Sequence, residues 1–245
     1  MRTKVFGRQL IELARVESTN TIAAEMITAG HLDHGAVVLA HEQTAGRGQR
    51  GRTWHSAPGL DLTFSIVLRP ETLRAEDQFM LVRCAALAVY DVVATYLPDV
   101  RIKWPNDILV GRRKVAGILI RTEVLGDMVR SAIIGIGLNV NSSGFEEGLV
   151  ATSLCMELGR TLDRNTLLEE LCLRFEHQWG RNNTDVAGAY AERLWARGRW
   201  ADVALDGAPA VVRPMDVDAS GRLIVEHEDG SVQAYGLERL RFAPR

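Results

Sequence analysis

The chain has 245 residues, 47% of them hydrophobic and 24% charged, with a formal net charge of −2 and a pI near 6.3. That balance gives a globular protein with a sizeable core and excludes a global positive field that would draw nucleic acid or acidic membrane, so any basic site has to be local. Cys84, Cys155 and Cys172 are odd in number and widely spaced, with no Cys-x-x-Cys and no nearby His cluster, which predicts reduced thiols rather than disulfides or zinc. The opening residues carry no signal-peptide pattern, and no run of about 18 uncharged apolar residues occurs. A cytoplasmic protein without a membrane segment is expected.

In chain order, "ESTNTIAAEMITAG" predicts a helix. Ser18 or Thr19 can cap it, Ile22, Met26 and the alanines form one face, and Gly30 ends it. A strand is expected at Ala36–Ala40. The basic segment "GRGQRGR" (Gly46–Arg52) follows, and then a second strand, "LDLTFSIVL". Residues Ala75–Leu97 have helical spacing up to Pro98. Closely spaced strand signals then run through "VRIKW", "DILV", "KVAGILI" and "MVRSAIIGIGLNV", broken at Gly111-Arg112-Arg113 and Gly126-Asp127. This is a mixed or antiparallel sheet without a βα rhythm. Two helices are expected from Asn165 to about Arg197, and short strands with Gly and Asp turns fill the remainder. The expected division is a domain over 1–197 and a small all-β unit over 198–245.

Gly46–Thr53 nearly matches the phosphate loop G-x-x-x-x-G-K-[ST], with Arg52 in place of Lys. Such a loop has to open a helix, whereas "TWHSAPGLDLTF" leads through Pro58 and Gly59 into a strand. A different anion site remains. Glycine permits close backbone approach, arginine offers a planar fork, and a self-repelling segment of this kind is expected to order when a ligand neutralises it.

Other strings carry further chemistry. "KWPND" brings Lys103 up a strand into a turn that presents Asn106 and Asp107, a grouping suited to a nucleotide with magnesium. In "KVAGILI", Lys114 opens a strand, and strict period two places it with Ala116 on one face and Gly117 on the other. In "IGIGLN", Gly135, Gly137 and Asn139 share a face, leaving room for a ligand or a packed helix against the sheet. "STN" is a helix cap or a polar ligand contact.

Taken in series, "STN", "Q-x-x-GRG-x-RG", "KWPND", "K-x-AGIL" and "IG-x-G-x-N" resemble the biotin protein ligases, which attach biotin to a carrier domain of acetyl-CoA carboxylase and related enzymes. The resemblance runs from about Glu17 to the end of the chain. It implies an α+β fold: a mixed β-sheet with helices packed mainly on one face, followed by a small C-terminal SH3-like β-barrel. It implies two steps, formation of biotinyl-5'-AMP from biotin and ATP, with Mg2+, and transfer to a lysine of the biotin carboxyl carrier protein. Ser18, Thr19, Asn20 and Gln43 would line the biotin ring pocket. Arg47, Gly48 and Gln49 would close over biotin and its adenylate, and Lys114, beside Gly117, would meet the carboxylate or adjoining phosphate. Arg50, Arg52, Trp54, Lys103, Asn106 and Asn139 would surround ATP, and Asp107 would act on the incoming lysine or hold magnesium. Gln49 and Arg121 depart from the family pattern, which commonly has arginine and glutamate at these places. About 16 residues precede "STN", too few for the helix-turn-helix some relatives carry, so no DNA binding is expected. A monomer or weak homodimer is expected. A lipoate or octanoate ligase or transferase of the same fold is the enzymatic alternative, and a non-catalytic biotin-binding module is the other.

Overall fold

A computed structural model describes residues 3–242; the outermost residues of the two expected domains lie outside that span. Seven strands form one sheet in the order β1 (Leu10–Val16), β2 (Val37–Gln43), β3 (Leu62–Leu68), β7 (Met128–Leu138), β6 (Arg113–Leu125), β5 (Asp107–Val110) and β4 (Val100–Lys103). β1 pairs parallel with β2, and the remaining neighbours are antiparallel. β1 was not expected from sequence. It is an edge strand in which Glu12 and Arg15 interrupt the apolar positions, and they bind His41 at 2.8 Å and Glu42 at 3.2 Å.

Among the described residues five helices accompany the sheet: α1 (Thr19–Thr28), α2 (Phe79–Tyr96), α3 (Leu154–Leu158), α4 (Arg164–Trp179) and α5 (Asn183–Glu192). Period two divides the strands between two layers. Val37, Leu39, Phe64, Ile66, Ile134 and Ile136 pack with residues of α2, α4 and α5 in the main core. Val38, Val67 and Ile133 instead meet Ala23 of α1 on the other face. Most helices therefore lie on one side and leave the α1 face open beyond its short helix. Residues Ala75–Tyr96 are apolar and long enough to cross a bilayer by composition, but α2 is the central core helix, with Leu81, Ala85, Leu87 and Val89 fully buried.

The N-terminal segment is anchored by one carboxylate. Glu176 of α4 accepts the backbone N–H groups of Lys4 and Val5 at 3.0 Å and of Phe6 at 3.3 Å, while the Phe6 ring packs edge-on against Phe175 at 5.0 Å. Burial raises the Glu176 pKa, but the three amides outweigh it and leave the carboxyl below its ordinary range. A lowered folded-state value stabilises the protein above the unfolded pKa, and that stabilisation fades as pH falls through the folded one. Glu176→Gln is therefore expected to cost about 1 kcal/mol at pH 7, the site being partly exposed. Urea midpoints of the two proteins should converge in acid, and an equal gap at both pH values would contradict the amide anchor.

A second, five-stranded sheet follows: β8 (Ala201–Leu205), β9 (Ala208–Val217), β10 (Leu223–His227), β11 (Val232–Tyr235) and β12 (Leu240–Phe242), in the order β11-β10-β9-β8-β12. All of its pairs are antiparallel. Among the described residues no hydrogen-bonded pairing joins β11 to β12, the two ends of this sheet. These end strands have only four and three residues.

Candidate active site

A cavity of about 620 Å³ opens on the α1 face of the large sheet. One end is polar and closely bonded. The Gln43 side-chain carbonyl accepts the Thr19 backbone N–H at 2.8 Å and its hydroxyl at 3.2 Å. Gln43 thus caps α1, whereas Ser18, expected from sequence as a possible cap, makes no side-chain cap bond. The Ser65 hydroxyl reaches Thr19 Oγ1 at 2.8 Å and Asn20 Oδ1 at 2.7 Å, and the Asn20 amide donates to Leu119 O at 3.1 Å. Asn20 lies over Gly135, where an added Cβ would stand 2.5 Å from its Oδ1. The missing side chain at Gly135 accommodates this amide.

The arginine segment is a folded hairpin and not the loose ribbon expected from its charge. Arg47 bridges Thr53, Gly48 N donates to Arg52 O at 2.6 Å, and Trp54 N donates to Gly46 O at 2.9 Å. Arg50 and Gly51 turn the tip with φ of 56° and 76°. Gly46 is required for a different reason, since a Cβ there would come within 2.3 Å of the Trp54 carbonyl oxygen. The hairpin ends by laying the Trp54 indole on Gly137, where a Cβ would meet the ring at 2.3 Å. Trp54 Nε1 is buried with no hydrogen-bond partner, leaving one donor unused beside the cavity.

Lys114 occupies the middle. Its ammonium is 2.6 Å from Asp107 Oδ1, 5.5 Å from the centre of the Trp54 ring, and 3.0 Å from where a Cβ on Gly117 would stand. Strict alternation had put Lys114 and Gly117 on opposite faces. The pairing with β5 slips by one residue here, Ile108 facing Ala116 while Leu109 faces Lys114. Val115 is the extra residue, and both Val115 and Ala116 turn into the main core. This bulge brings Lys114 and Gly117 to the same cavity.

Ser18, Thr19, Asn20, Gln43, Arg47, Gly48, Gln49, Arg52, Trp54, Asn106, Asp107, Lys114, Gly117 and Asn139, all singled out from sequence, line this one cavity. Arg50 and Lys103 do not. Arg50 is at the exposed hairpin tip, and the Lys103 ammonium stands 5.9 Å from the Phe242 ring of the second sheet. Asn139 has a structural bond as well, donating to Thr152 O at 2.9 Å. Sequence reasoning missed Thr63 and Ser65, whose signal was two polar residues at alternate positions of an apolar strand. It also missed the segment after Asn139, of which Ser142, Phe145, Glu146 and Val150 reach the cavity. Buried Asp61 holds that segment, accepting from Val140 N at 2.8 Å and from the Ser142 hydroxyl at 2.5 Å.

The sequence profile of the biotin/lipoate A/B protein ligase family matches residues 12–139, the span that contains all the expected site residues. The chain belongs to this family. It is 34% identical over 228 residues to a biotin–[acetyl-CoA-carboxylase] ligase of Mycobacterium tuberculosis, covering 89% of this chain and 84% of that protein. It is 37% identical to a bifunctional ligase/repressor BirA of Bacillus spizizenii over 73% of this chain, a match spanning 56% of that relative's length. The fold of this family member superposes on a biotin protein ligase from Aquifex aeolicus in complex with biotin and ATP, with a TM-score of 0.78 and 26% identity, covering 97% of this chain and 100% of that one.

Proposed function

We propose that the protein is an ATP-dependent biotin protein ligase that forms biotinyl-5'-AMP and transfers biotin to a lysine of the biotin carboxyl carrier protein of acetyl-CoA carboxylase. The observation that carries this reading is the placement of the Asp107–Lys114 pair at 2.6 Å between the hydroxyl and amide end of the cavity and the arginine hairpin. In it, Ser18, Thr19, Asn20 and Gln43 take the ureido ring, and Ser65 fixes the hydroxyl and amide that face it. Arg47 and Lys114 bring the biotin carboxylate up to the α-phosphorus of ATP. Two anions repel, and each charge-assisted hydrogen bond from these cations offsets about 1.5 to 3 kcal/mol. Gly48, Gln49, Arg52 and Trp54 cover the mixed anhydride and exclude water.

Magnesium fits this site as an ion brought in with the nucleotide. Among the described residues no three His, Cys, Asp or Glu side chains converge as a dedicated cage, while Asp107 and Glu146 both line the cavity. Magnesium commonly uses one or two carboxylates together with substrate phosphates, whose charge it neutralises. Once the adenylate has formed, Asp107 is placed to orient the incoming carrier lysine, which at an ordinary pKa near 10.4 arrives protonated.

The second sheet, set off at about residue 198, is read as a curled SH3-like unit, a reading supported by the register shift between β9 and β10. The three free thiols fit a cytoplasmic setting. Mass spectrometry of a carrier domain incubated with this protein, ATP, magnesium and biotin tests the activity. One added biotinyl group on the carrier lysine is the expected result. Modification by lipoate or octanoate in parallel reactions, with none by biotin, would replace this reading with the other branch of the family.

A further inference from the structure

The turn joining β9 and β10 is folded by its own aspartate and then inserted into the larger sheet's core. Asp218 accepts from Ser220 Oγ at 2.8 Å, Arg222 N at 2.9 Å and Arg222 Nε at 2.7 Å. Gly221 has φ of +87°, and a Cβ on it would come within 2.3 Å of the Phe79 ring of α2. Arg83, 3% exposed, donates to Val217 O at 2.9 Å and Asp218 O at 2.8 Å, and its guanidinium lies 5.1 Å from the centre of the Phe79 ring. The turn is therefore held from below by two side chains of the core helix.

From above, the turn is met by the residue that leads into the site. The buried Trp104 indole N–H donates to Gly221 O at 2.9 Å. The next carbonyl, Pro105 O, accepts the hydroxyl of Tyr190 at 2.6 Å, and Tyr190 is itself edge-on to Phe79 at 5.8 Å. Asn106 and Asp107 follow directly. Asn106 O accepts Ile118 N at 3.0 Å, and Asp107 pairs with Lys114. The turn between β4 and β5 is Trp104, Pro105 and Asn106, and Asp107 opens β5 opposite Lys103 and Gly117, so the indole and the Pro105 carbonyl hold from behind the turn that delivers Asp107 to the cavity.

We propose that the Asp218–Arg222 turn of the second sheet is a positioning element for the reacting centre, acting through Gly221 and Trp104 on Asp107 and thereby on Lys114. Its kinetic consequence rests on the ligase reading above; the contact chain itself does not. Gly221 and Trp104 touch neither substrate in this scheme.

Trp104→Phe keeps a ring in place and deletes the donor. Loss of one neutral hydrogen bond, expressed in the geometry of the pair, lowers kcat for biotin-dependent pyrophosphate release roughly tenfold. The KM for biotin stays at the wild-type value, because the ring pocket is built on α1 and β2. Hydrogen exchange at the Ile118 amide, which reports the grip on Asn106, accelerates. Gly221→Ala, which drives a Cβ into Phe79, shifts the same readouts in the same direction. Turnover is counted per active site titrated by adenylate, so that partial unfolding does not pass for slower chemistry. A Trp104→Phe protein with unchanged kcat per site and unchanged Ile118 protection overturns the proposal, even if its melting temperature falls. A wild-type chain without biotin-dependent pyrophosphate release would instead defeat the ligase reading, and the Ile118 exchange comparison would still decide whether the turn holds the Asn106–Asp107 segment.

Discussion

Lys114→Ala is expected to slow biotin-dependent pyrophosphate release by about 10²- to 10³-fold, the usual effect of removing one preorganised charge from a reacting centre. The ammonium lines the cavity and is held at 2.6 Å by Asp107, so its position does not have to be organised when substrate arrives. Folding should scarcely notice the change. The lysine and aspartate side chains are 35% and 24% exposed, so water can solvate the carboxylate left behind, and the stability change should be about 0.5 kcal/mol or less. Stopped-assay pyrophosphate release and a thermal melt on the same sample separate the two effects. Normal release by the folded variant would show that Lys114 is not the reacting-centre cation.

Gly137→Ala should be almost as damaging, although it adds one methyl group and no charge. The new Cβ would overlap the Trp54 ring, at 2.3 Å from its nearest atom, and the strand cannot retreat because Gly137 is paired with Thr63 on one side and Gly117 on the other. Trp54 has to move, and Trp54 N is the hairpin's bond to Gly46 O. A displacement of about 1 Å in groups that position a reactant costs on the order of 10²-fold, and kcat/KM for ATP should fall by about that factor. The effect should be clear in steady-state kinetics at saturating biotin. A variant with wild-type kcat/KM would show that the indole's seat on the glycine has no part in holding the hairpin.

The two layers of the sheet were legible because their apolar residues alternate over long runs, as in Phe64 and Ile66 against Val67. The site motifs were legible for a second reason: a glycine between bulky neighbours on a strand, as at Gly135 and Gly137, records that something else occupies the space. What that something was could not be read locally, since Asn20 lies 115 positions and Trp54 lies 83 positions before their glycines. β1 escaped because an edge strand paired on one side carries Glu12 and Arg15 where a central strand would carry valine. The hairpin's order escaped because composition reports charge repulsion, whereas backbone bonds such as Gly48 N to Arg52 O hold it. Asn106 and Asp107 of "KWPND" reach the cavity, whereas the Lys103 ammonium stands 5.9 Å from the Phe242 ring, a direction the string itself does not record.

The slipped pairing at Val115 has a practical corollary for protein engineering. A lysine and a glycine three places apart in an evenly pleated strand look in opposite directions, and here one surplus residue rotates them to a shared side. Anyone grafting this short string onto another hairpin would have to carry the irregularity along with the letters. Keeping every letter while forcing an even pleat would turn the lysine away from the side that Gly117 faces.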